Sequence, residues 1–129
     1  MKFPQNQKRS FELAKVVGAK KQQCWKNSFL TLPYVEQGAV YVEGLAMTVV
    51  LPIPLDHGWV ELQDGSVIDV TWCHLDEVVY HPIRKYTIDE VLHELEVGKM
   101  ELPIIGQPGR MTSNEMMEHL SAIMAMLED

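Results

Sequence analysis

The stretch AVYVEGLAMTVV, residues 39–50, is rich in β-branched and apolar residues and predicts a largely buried strand. Gly44 lies within it and indicates a bulge or a point of close packing, because glycine brings no side chain to a strand. Pro52 and Pro54 confine the next residues to a loop or a sheet edge, since proline cannot donate to a ladder. This segment therefore predicts a β-sheet in the middle of the chain.

A β-hairpin is predicted on the C-terminal side of this strand. Residues 58–63 and 67–72 are largely apolar segments that flank Asp64-Gly65, a dipeptide that favours a tight turn. A short strand near residues 77–80 is expected to follow. Together these segments predict a small antiparallel sheet.

Two helices are predicted on the N-terminal side of the sheet. The one nearer the sheet is expected from Cys24 to about Leu32, because Pro33 disfavours helical geometry in the residue before it. Its expected buried residues are Trp25, Phe29 and Leu30. A first helix, which ends at Gly18, is indicated by the spacing of its apolar residues: Phe11, Leu13, Ala14, Val16 and Val17.

Two further helices are predicted after the sheet. Thr87 and Glu90 form a capping box for one helix, which Gly98 is expected to end. Thr112 or Ser113 is expected to cap a final helix. The apolar residues of that helix keep a helical spacing that favours core packing over a partner groove: Met116, Met117, Leu120, Ile123, Met124 and Leu127. Helices on either side of a hairpin-linked sheet indicate one α+β domain over residues 1–129.

The charge is distributed unevenly along the chain. The net charge is −7, yet residues 1–27 hold seven of the eleven basic residues against one acid, Glu12. A basic arm suits nucleic acid or anionic lipid. However, no aromatic residues alternate with the basic ones, as a stacking surface for nucleic acid requires. We therefore interpret the arm as a solvated helix face, with nucleic acid not expected as a partner.

The sequence also suggests a compartment. No apolar run reaches the roughly 18 residues that a membrane span needs, and residues 1–9 lack the apolar core of a signal peptide. Two cysteines without a secretory signal indicate free thiols in a reducing cytoplasm. A Cys24–Cys73 disulfide is the less favoured alternative.

Three residues have local settings that suit thiol chemistry. Cys24 falls in the first turn of a predicted helix, where the helix dipole and unpaired backbone amides stabilise a thiolate. Asp69 lies within the apolar string Val67-Ile68-Asp69-Val70, so its carboxylate must be paired or hydrogen-bonded. His57 is a candidate partner that Asp69 would hold in one tautomer. A thiolate attacks a carbonyl well when one neighbour takes its proton and another orients that neighbour.

The register of the hairpin decides whether His57 and Asp69 share a face. A two-residue turn at Asp64-Gly65 places Asp69 on the face opposite His57. A three-residue loop with Gly65 in the left-handed region pairs residue i with 128 − i and makes Asp69 the diagonal neighbour of His57. The sequence permits both registers. We favour the second because it gives the Asp69 carboxylate a partner.

Four segments carry a resemblance to a known family. They are Gln23-Cys24-Trp25 at a helix start, AVYVEGLA at residues 39–46, HGWVE at residues 57–61 and VIDVT at residues 67–71. In this order the chain resembles a minimal transglutaminase-like domain of the papain-like cysteine enzyme superfamily. It is also similar to short bacterial and phage proteins that have a His-x-Trp and an Asp-x-Thr-Trp pattern.

The resemblance implies roles for individual residues. Cys24 would be the nucleophile, His57 the base and Asp69 the residue that orients His57. Gln22 or Gln23, with the Cys24 amide, would donate hydrogen bonds to the oxyanion.

The resemblance also implies a reaction. It is acyl transfer through a thioester, which hydrolyses an amide or isopeptide bond of a protein or peptide substrate or passes the acyl group to an amine. Trp59 and Trp72 are expected beside the site, either as walls of the acyl pocket together with Trp25 or as plain core packing. The alternative is a non-catalytic module of the same fold that binds or inhibits a partner. The sequence leaves the substrate and the oligomeric state open.

Other chemistry has less support. Cys73-His74-Leu75-Asp76 with His57 or His81 offers zinc ligands, but adjacent Cys and His cannot easily both ligate one ion. Residues 106–109 are broken by proline and are not followed by the Lys-Ser/Thr of a phosphate loop. Neither a metal nor a cofactor is therefore expected.

Overall fold

The computed structural model describes residues 2–97, 102–105 and 110–128, and its centre is a four-stranded antiparallel sheet. The strands are β1 (Val40–Thr48), β2 (Leu55–Glu61), β3 (Val67–Ile68) and β4 (Val78–Tyr86). Their order in the sheet is β3-β2-β1-β4, so the predicted first strand lies in the interior of the sheet. The predicted α+β class is confirmed.

Helices flank the sheet in sequence on both sides. They are α1 (Gln7–Val17), α2 (Cys24–Thr31), α3 (Ile88–Val97) and α4 (Ser113–Ala125), with 3₁₀ turns at Leu32–Tyr34 and Met126–Glu128. No helix among the described residues is long and apolar enough to cross a membrane.

The predicted helix caps are present. Gly18 ends α1 with φ 64°, a left-handed conformation that glycine adopts without strain. The Thr87 amide donates to Glu90 Oε1 at 2.9 Å, and the Glu90 amide donates to Thr87 Oγ1 at 3.2 Å. Thr112 caps α4 by accepting from the Glu115 amide. The predicted stop at Gly98 and the segment 106–109 lie outside the described residues.

Gly44 marks a bulge, as predicted. The pairing of β1 with β4 changes register between Glu43 and Gly44. A side chain at Gly44 would collide with the His81 carbonyl oxygen and the Pro82 Cα atom, so only glycine fits this close approach. β4 is longer than the predicted strand at 77–80. Its position at the sheet edge explains why Pro82 is tolerated within it.

The hairpin adopts the favoured register. Val60 pairs with Ile68 and Glu61 pairs with Val67, so residue i pairs with 128 − i. Gly65 has φ 87° in the connecting turn. β3 is only two residues long, so the predicted strand at 67–72 was too long. The strand ends at Asp69, where the chain turns. The Asp69 carboxylate stabilises this turn by accepting hydrogen bonds from the backbone amides of Thr71 and Trp72.

Apolar side chains fill both faces of the sheet. Along β1, Tyr41 and Leu45 alternate with Val42 and Ala46, as expected for a strand buried on both sides. Tyr41 and Leu45 pack with residues from α1, α3 and α4. Val42 and Ala46 belong to a cluster with Val67, Val78, Trp59 and Tyr80, packed by Trp72 and Leu75. This second cluster, here called the aromatic cluster, surrounds the candidate site.

Two burial predictions were wrong. Leu30 is 40% exposed, whereas Trp25 and Phe29 are partly buried as expected. In α4, Ile123 is fully buried but Met117 and Met124 are exposed. The helix packs on the sheet through a narrow stripe, so only part of its apolar face is covered.

Candidate active site

Cys24 is the first residue of α2, as predicted, and only 7% of it is exposed. The Gln23 carbonyl accepts the Asn27 amide at 2.8 Å and closes the first turn above the cysteine. Gln22 precedes it with φ 63°, a left-handed conformation that few non-glycine residues adopt. Cys24 and Cys73 are both free thiols, so the alternative of a disulfide between them is wrong.

Gly58 brings the start of α2 against β2. A Cβ atom added at Gly58 would lie 2.8 Å from Trp25 Cδ1 and 3.5 Å from the Cys24 carbonyl oxygen. The residue after His57 therefore touches the backbone of the candidate nucleophile. Any larger side chain at this position would push the helix start away from the strand.

Asn27 fixes the loop that leads into α2. Its Nδ2 atom donates to the Lys20 carbonyl at 2.7 Å and to Thr71 Oγ1 at 2.9 Å. Its Oδ1 atom accepts from the Lys20 amide at 3.1 Å. A buried asparagine thus ties the helix start to the segment that carries Asp69.

His57 and Asp69 form a buried pair. His57 Nε2 lies 2.7 Å from Asp69 Oδ2, and the side chains are 2% and 0% exposed. Burial alone would lower the pKa of His57. The charge and hydrogen bond of Asp69, with a smaller contribution from the nearby Cys24, instead raise it to about 9. Because Nε2 is bonded to Asp69, the nitrogen left for the Cys24 thiol is Nδ1.

The Asp69 carboxylate has four donors. Oδ2 accepts from His57 and from the Tyr80 hydroxyl, the latter at 2.7 Å. Oδ1 accepts from the amides of Thr71 at 3.2 Å and Trp72 at 3.0 Å. These bonds offset the cost of burying an ionised group. They also fix the plane of the carboxylate against the imidazole.

Two tryptophans lie beside His57, as expected. The Trp72 ring stacks on the imidazole at 4.0 Å between centroids, and the Trp59 ring is 6.0 Å away. Trp59 is fully buried, whereas Trp72 is partly exposed. Trp72 therefore covers one face of the imidazole towards solvent. A covering of this kind limits water access to the His57–Asp69 bond.

The other predicted pocket residues lie at an open cleft of about 610 Å³ next to the helix start. Gln22 and Gln23 are exposed and line this cleft, while Trp25 is partly buried. Trp25 also lines a smaller cavity of about 70 Å³ that reaches His57 and Asp56. Sequence reasoning expected Gln22 or Gln23 to donate to an oxyanion, and that role stays a prediction.

Sequence reasoning missed three polar residues of the site: Ser10, Asn27 and Tyr80. Ser10 Oγ accepts the Asp69 amide at 2.9 Å and joins α1 to the site. Tyr80 gave the clearest signal, because a tyrosine in a buried strand usually needs a partner for its hydroxyl. The identity of that partner depends on how β4 is placed relative to Asp69.

The histidines proposed as zinc ligands have other partners. His57 bonds Asp69, and His81 Nε2 lies 2.8 Å from His119 Nδ1. Within the described ranges, no group of three or more His, Cys, Asp or Glu side chains is arranged to hold a metal ion.

Comparisons of the chain with protein-family models, with curated proteins and with solved structures found no match. The site must therefore be interpreted from its own geometry.

Proposed function

We propose that this chain is a transglutaminase-like cysteine enzyme that transfers the acyl group of an amide or isopeptide bond through a thioester. The observation that carries the proposal is the position of His57. Its imidazole bonds Asp69 through Nε2, and its pKa is raised by Asp69 and to a smaller extent by Cys24, which begins a helix. This order of acceptor, imidazole and thiol is the one that nucleophilic catalysis by a thiol requires.

The reaction begins with transfer of the Cys24 proton to His57 Nδ1. A histidine whose pKa is about 9 holds a proton at neutral pH, so it can pair with a thiolate. The N-terminus of α2 stabilises the negative sulfur. Asp69 stabilises the positive imidazolium and keeps Nδ1 directed at the sulfur.

The thiolate then attacks the substrate carbonyl and forms a C–S bond. The negative oxygen of the tetrahedral intermediate is bound by the Cys24 amide and by the Gln22 or Gln23 side chain. When the C–N bond breaks, His57 gives its proton to the leaving amine. Water or a second amine, deprotonated by His57, then attacks the thioester. The C–S bond breaks and restores the Cys24 thiolate beside the protonated His57.

The substrate class follows from the surroundings of the site. Trp72 stacks on the imidazole and also lines an apolar groove of about 600 Å³. The groove lies between the loop that joins β1 to β2 and the segment that follows β3. Val50, Leu51 and Ile53 of this loop are exposed. A protein or peptide with apolar residues near the scissile bond fits this surface. We place the reaction in the cytoplasm, where both thiols stay reduced.

The same groove favours a second candidate, a module that binds a partner protein without catalysis. Val50 is 88% exposed, and exposed apolar side chains that adjoin each other are typical of interaction sites. In this case the thiol would be a core group, and Cys24 would have no special reactivity.

Alkylation by iodoacetamide separates the two candidates. We expect Cys24, measured in a Cys73→Ser background, to react at least about tenfold faster than glutathione at pH 7, because a thiolate is the reactive form. The rate should persist at pH 6, and His57→Ala should abolish the advantage. Cys24→Ala in the same background identifies the labelled residue. A rate no higher than that of glutathione would remove the enzyme proposal.

A further inference from the structure

We propose that Tyr80 is a positioning residue of this site, whose hydroxyl holds Asp69 Oδ2 in place and sets how strongly His57 retains its proton. The effect on His57 stands on the geometry alone. Its meaning for catalysis rests on the proposed function.

The geometry places Tyr80 and His57 on one oxygen. The Tyr80 hydroxyl and His57 Nε2 each lie 2.7 Å from Asp69 Oδ2. Tyr80 belongs to β4 and pairs with Ala46 of β1, so its side chain enters the aromatic cluster. The Tyr80 ring also packs on Trp59, with 4.9 Å between centroids. Packing on one side and Asp69 on the other leave the hydroxyl little freedom to turn away.

The hydroxyl proton of Tyr80 points at Asp69. Burial, followed by the Asp69 charge, raises the pKa of Tyr80 well above its ordinary value, so the hydroxyl remains a donor. The acceptor that this hydroxyl reaches is Asp69 Oδ2, at 2.7 Å. The single proton of Tyr80 is therefore directed to the carboxylate.

Two donors on one oxygen divide its negative charge between them. Without the Tyr80 hydroxyl, Oδ2 would serve His57 alone and would stabilise the imidazolium more strongly. The two backbone amides on Oδ1 would still hold the other oxygen. Tyr80 thus limits the basicity of His57, which helps a residue that must both keep and return a proton during one turnover.

A second buried tyrosine supplies a matched control. The Tyr41 hydroxyl donates to Glu43 Oε2 at 2.5 Å, and both residues are fully buried. Glu43 also accepts the amides of Ile104 and Ile105, at 2.7 and 2.8 Å. Tyr41→Phe therefore removes the same kind of hydrogen bond from the same sheet without touching Asp69.

The test is an NMR titration of the His57 ring in the parent chain and its variants. We expect Tyr80→Phe to raise the His57 midpoint by roughly half a pKa unit or more, and Tyr41→Phe to leave it unchanged. Replacing Tyr80 with 3-fluorotyrosine keeps the hydroxyl and makes it a stronger donor, so the midpoint should fall. This variant also serves if Tyr80→Phe does not fold.

Several outcomes would overturn the proposal. They are a His57 midpoint that stays or falls in Tyr80→Phe, equal shifts in the two tyrosine variants, or no change with 3-fluorotyrosine. Alkylation adds a kinetic readout, since a stronger imidazolium should move the acid limb of the Cys24 rate to lower pH in Tyr80→Phe. If Cys24 proves unreactive the proposed function fails, but the titration still decides the role of Tyr80.

Discussion

At the scale of single residues, Asp69 is held by hydrogen bonds to both of its carboxylate oxygens and from its own amide. Its carboxylate accepts from His57, Tyr80, Thr71 and Trp72. Its own amide donates to Ser10. A carboxylate has about four acceptor positions, so this one is saturated. Asp69 both ends a strand and orients the imidazole of His57. A substitution at Asp69 can therefore change stability and thiol reactivity independently.

Asp69→Asn separates these roles. The Asn Oδ1 atom can still accept the Thr71 and Trp72 amides, so we expect the fold to persist. The amide group would then face His57 Nε2 with hydrogen atoms, which favours the wrong imidazole tautomer. Cys24 alkylation at pH 7 should slow by roughly 10²-fold or more. The measurements are the alkylation rate and the urea unfolding midpoint.

The contrary result for Asp69→Asn is equally specific. If Asp69 acts only as a turn residue, the variant would lose on the order of 1 kcal/mol of stability and keep the parent alkylation rate. Ser10→Ala is the control. It removes the partner of the Asp69 amide and leaves the carboxylate intact, so it should lower stability without changing the alkylation rate.

At the scale of elements, the site depends on the contact between α2 and β2. β3 pairs with β2 only at Val60 and Glu61. This leaves the His57 end of β2 to be approached by the start of α2, and Gly58 provides the space. The short length of β3 therefore leaves room for the start of α2 beside this end of β2.

Gly58→Ala tests this contact. The new methyl group would lie 2.8 Å from Trp25 Cδ1 and 3.3 Å from Trp25 Cα, so the helix start must move. We expect a loss of about 1–3 kcal/mol in the free energy of unfolding, as for overpacked sites. The alkylation rate of Cys24 should fall towards that of glutathione, because the thiol is displaced from His57.

Gly65→Asn is the control for Gly58→Ala. Gly65 has φ 87° in the hairpin turn, no atom lies within 4 Å of an added Cβ, and asparagine tolerates left-handed backbone better than most residues. It should affect stability modestly and leave alkylation unchanged. If Gly58→Ala keeps full reactivity, the position of the helix start is not what activates the thiol.

At the scale of the whole molecule, two histidine sites respond to pH in opposite directions. Asp69 and Cys24 outweigh burial and raise the pKa of His57 to about 9. Burial, and then the neighbouring His119, lower the pKa of His81. The second site joins α4 to β4, where Glu115 lies 3.8 Å from His119 and also pairs with Arg84. In the parent chain a proton passed from Cys24 to His57 leaves the total number of bound protons unchanged. In Cys24→Ala, where no thiol supplies that proton, stability should therefore decline on both sides of a maximum.

The direction in which stability changes with pH depends on whether the folded or the unfolded chain binds more protons. Between the ordinary histidine value of about 6.5 and the raised pKa of folded His57, the folded Cys24→Ala chain holds a proton on His57 that the unfolded chain has lost. Stability therefore falls as pH rises through this window. Below about pH 6.5 the unfolded chain binds a proton that His81 resists, so stability falls as pH decreases.

Urea unfolding of Cys24→Ala from pH 5 to pH 9.5 measures this profile. We expect a maximum near pH 6.5. Asp69→Asn should flatten the alkaline decline, and His81→Gln should reduce the acid decline while leaving the alkaline one intact. A Cys24→Ala profile that keeps rising from pH 7 to pH 9 would contradict the assignment of His57.

The sequence by itself determined the local features of this protein. Gly18 and Gly65 adopt the left-handed backbone that their turns need, and Thr87 and Thr112 cap their helices. The bulge at Gly44 was indicated by a single residue, whereas the hairpin register was one of two that the sequence permitted. The pairing of His57 with Asp69 was within reach because the hairpin fixes both of them.

Only the tertiary structure decided which distant groups complete the site. Ser10 meets Asp69 across 59 residues, and Asn27 meets Thr71 across 44. Tyr80 is nearer in sequence but reaches Asp69 by joining the far side of β1. Local patterns follow from backbone conformation and side-chain period, whereas such contacts depend on how all the elements pack at once. The length of β4 and the exposed half of α4 were decided in the same way.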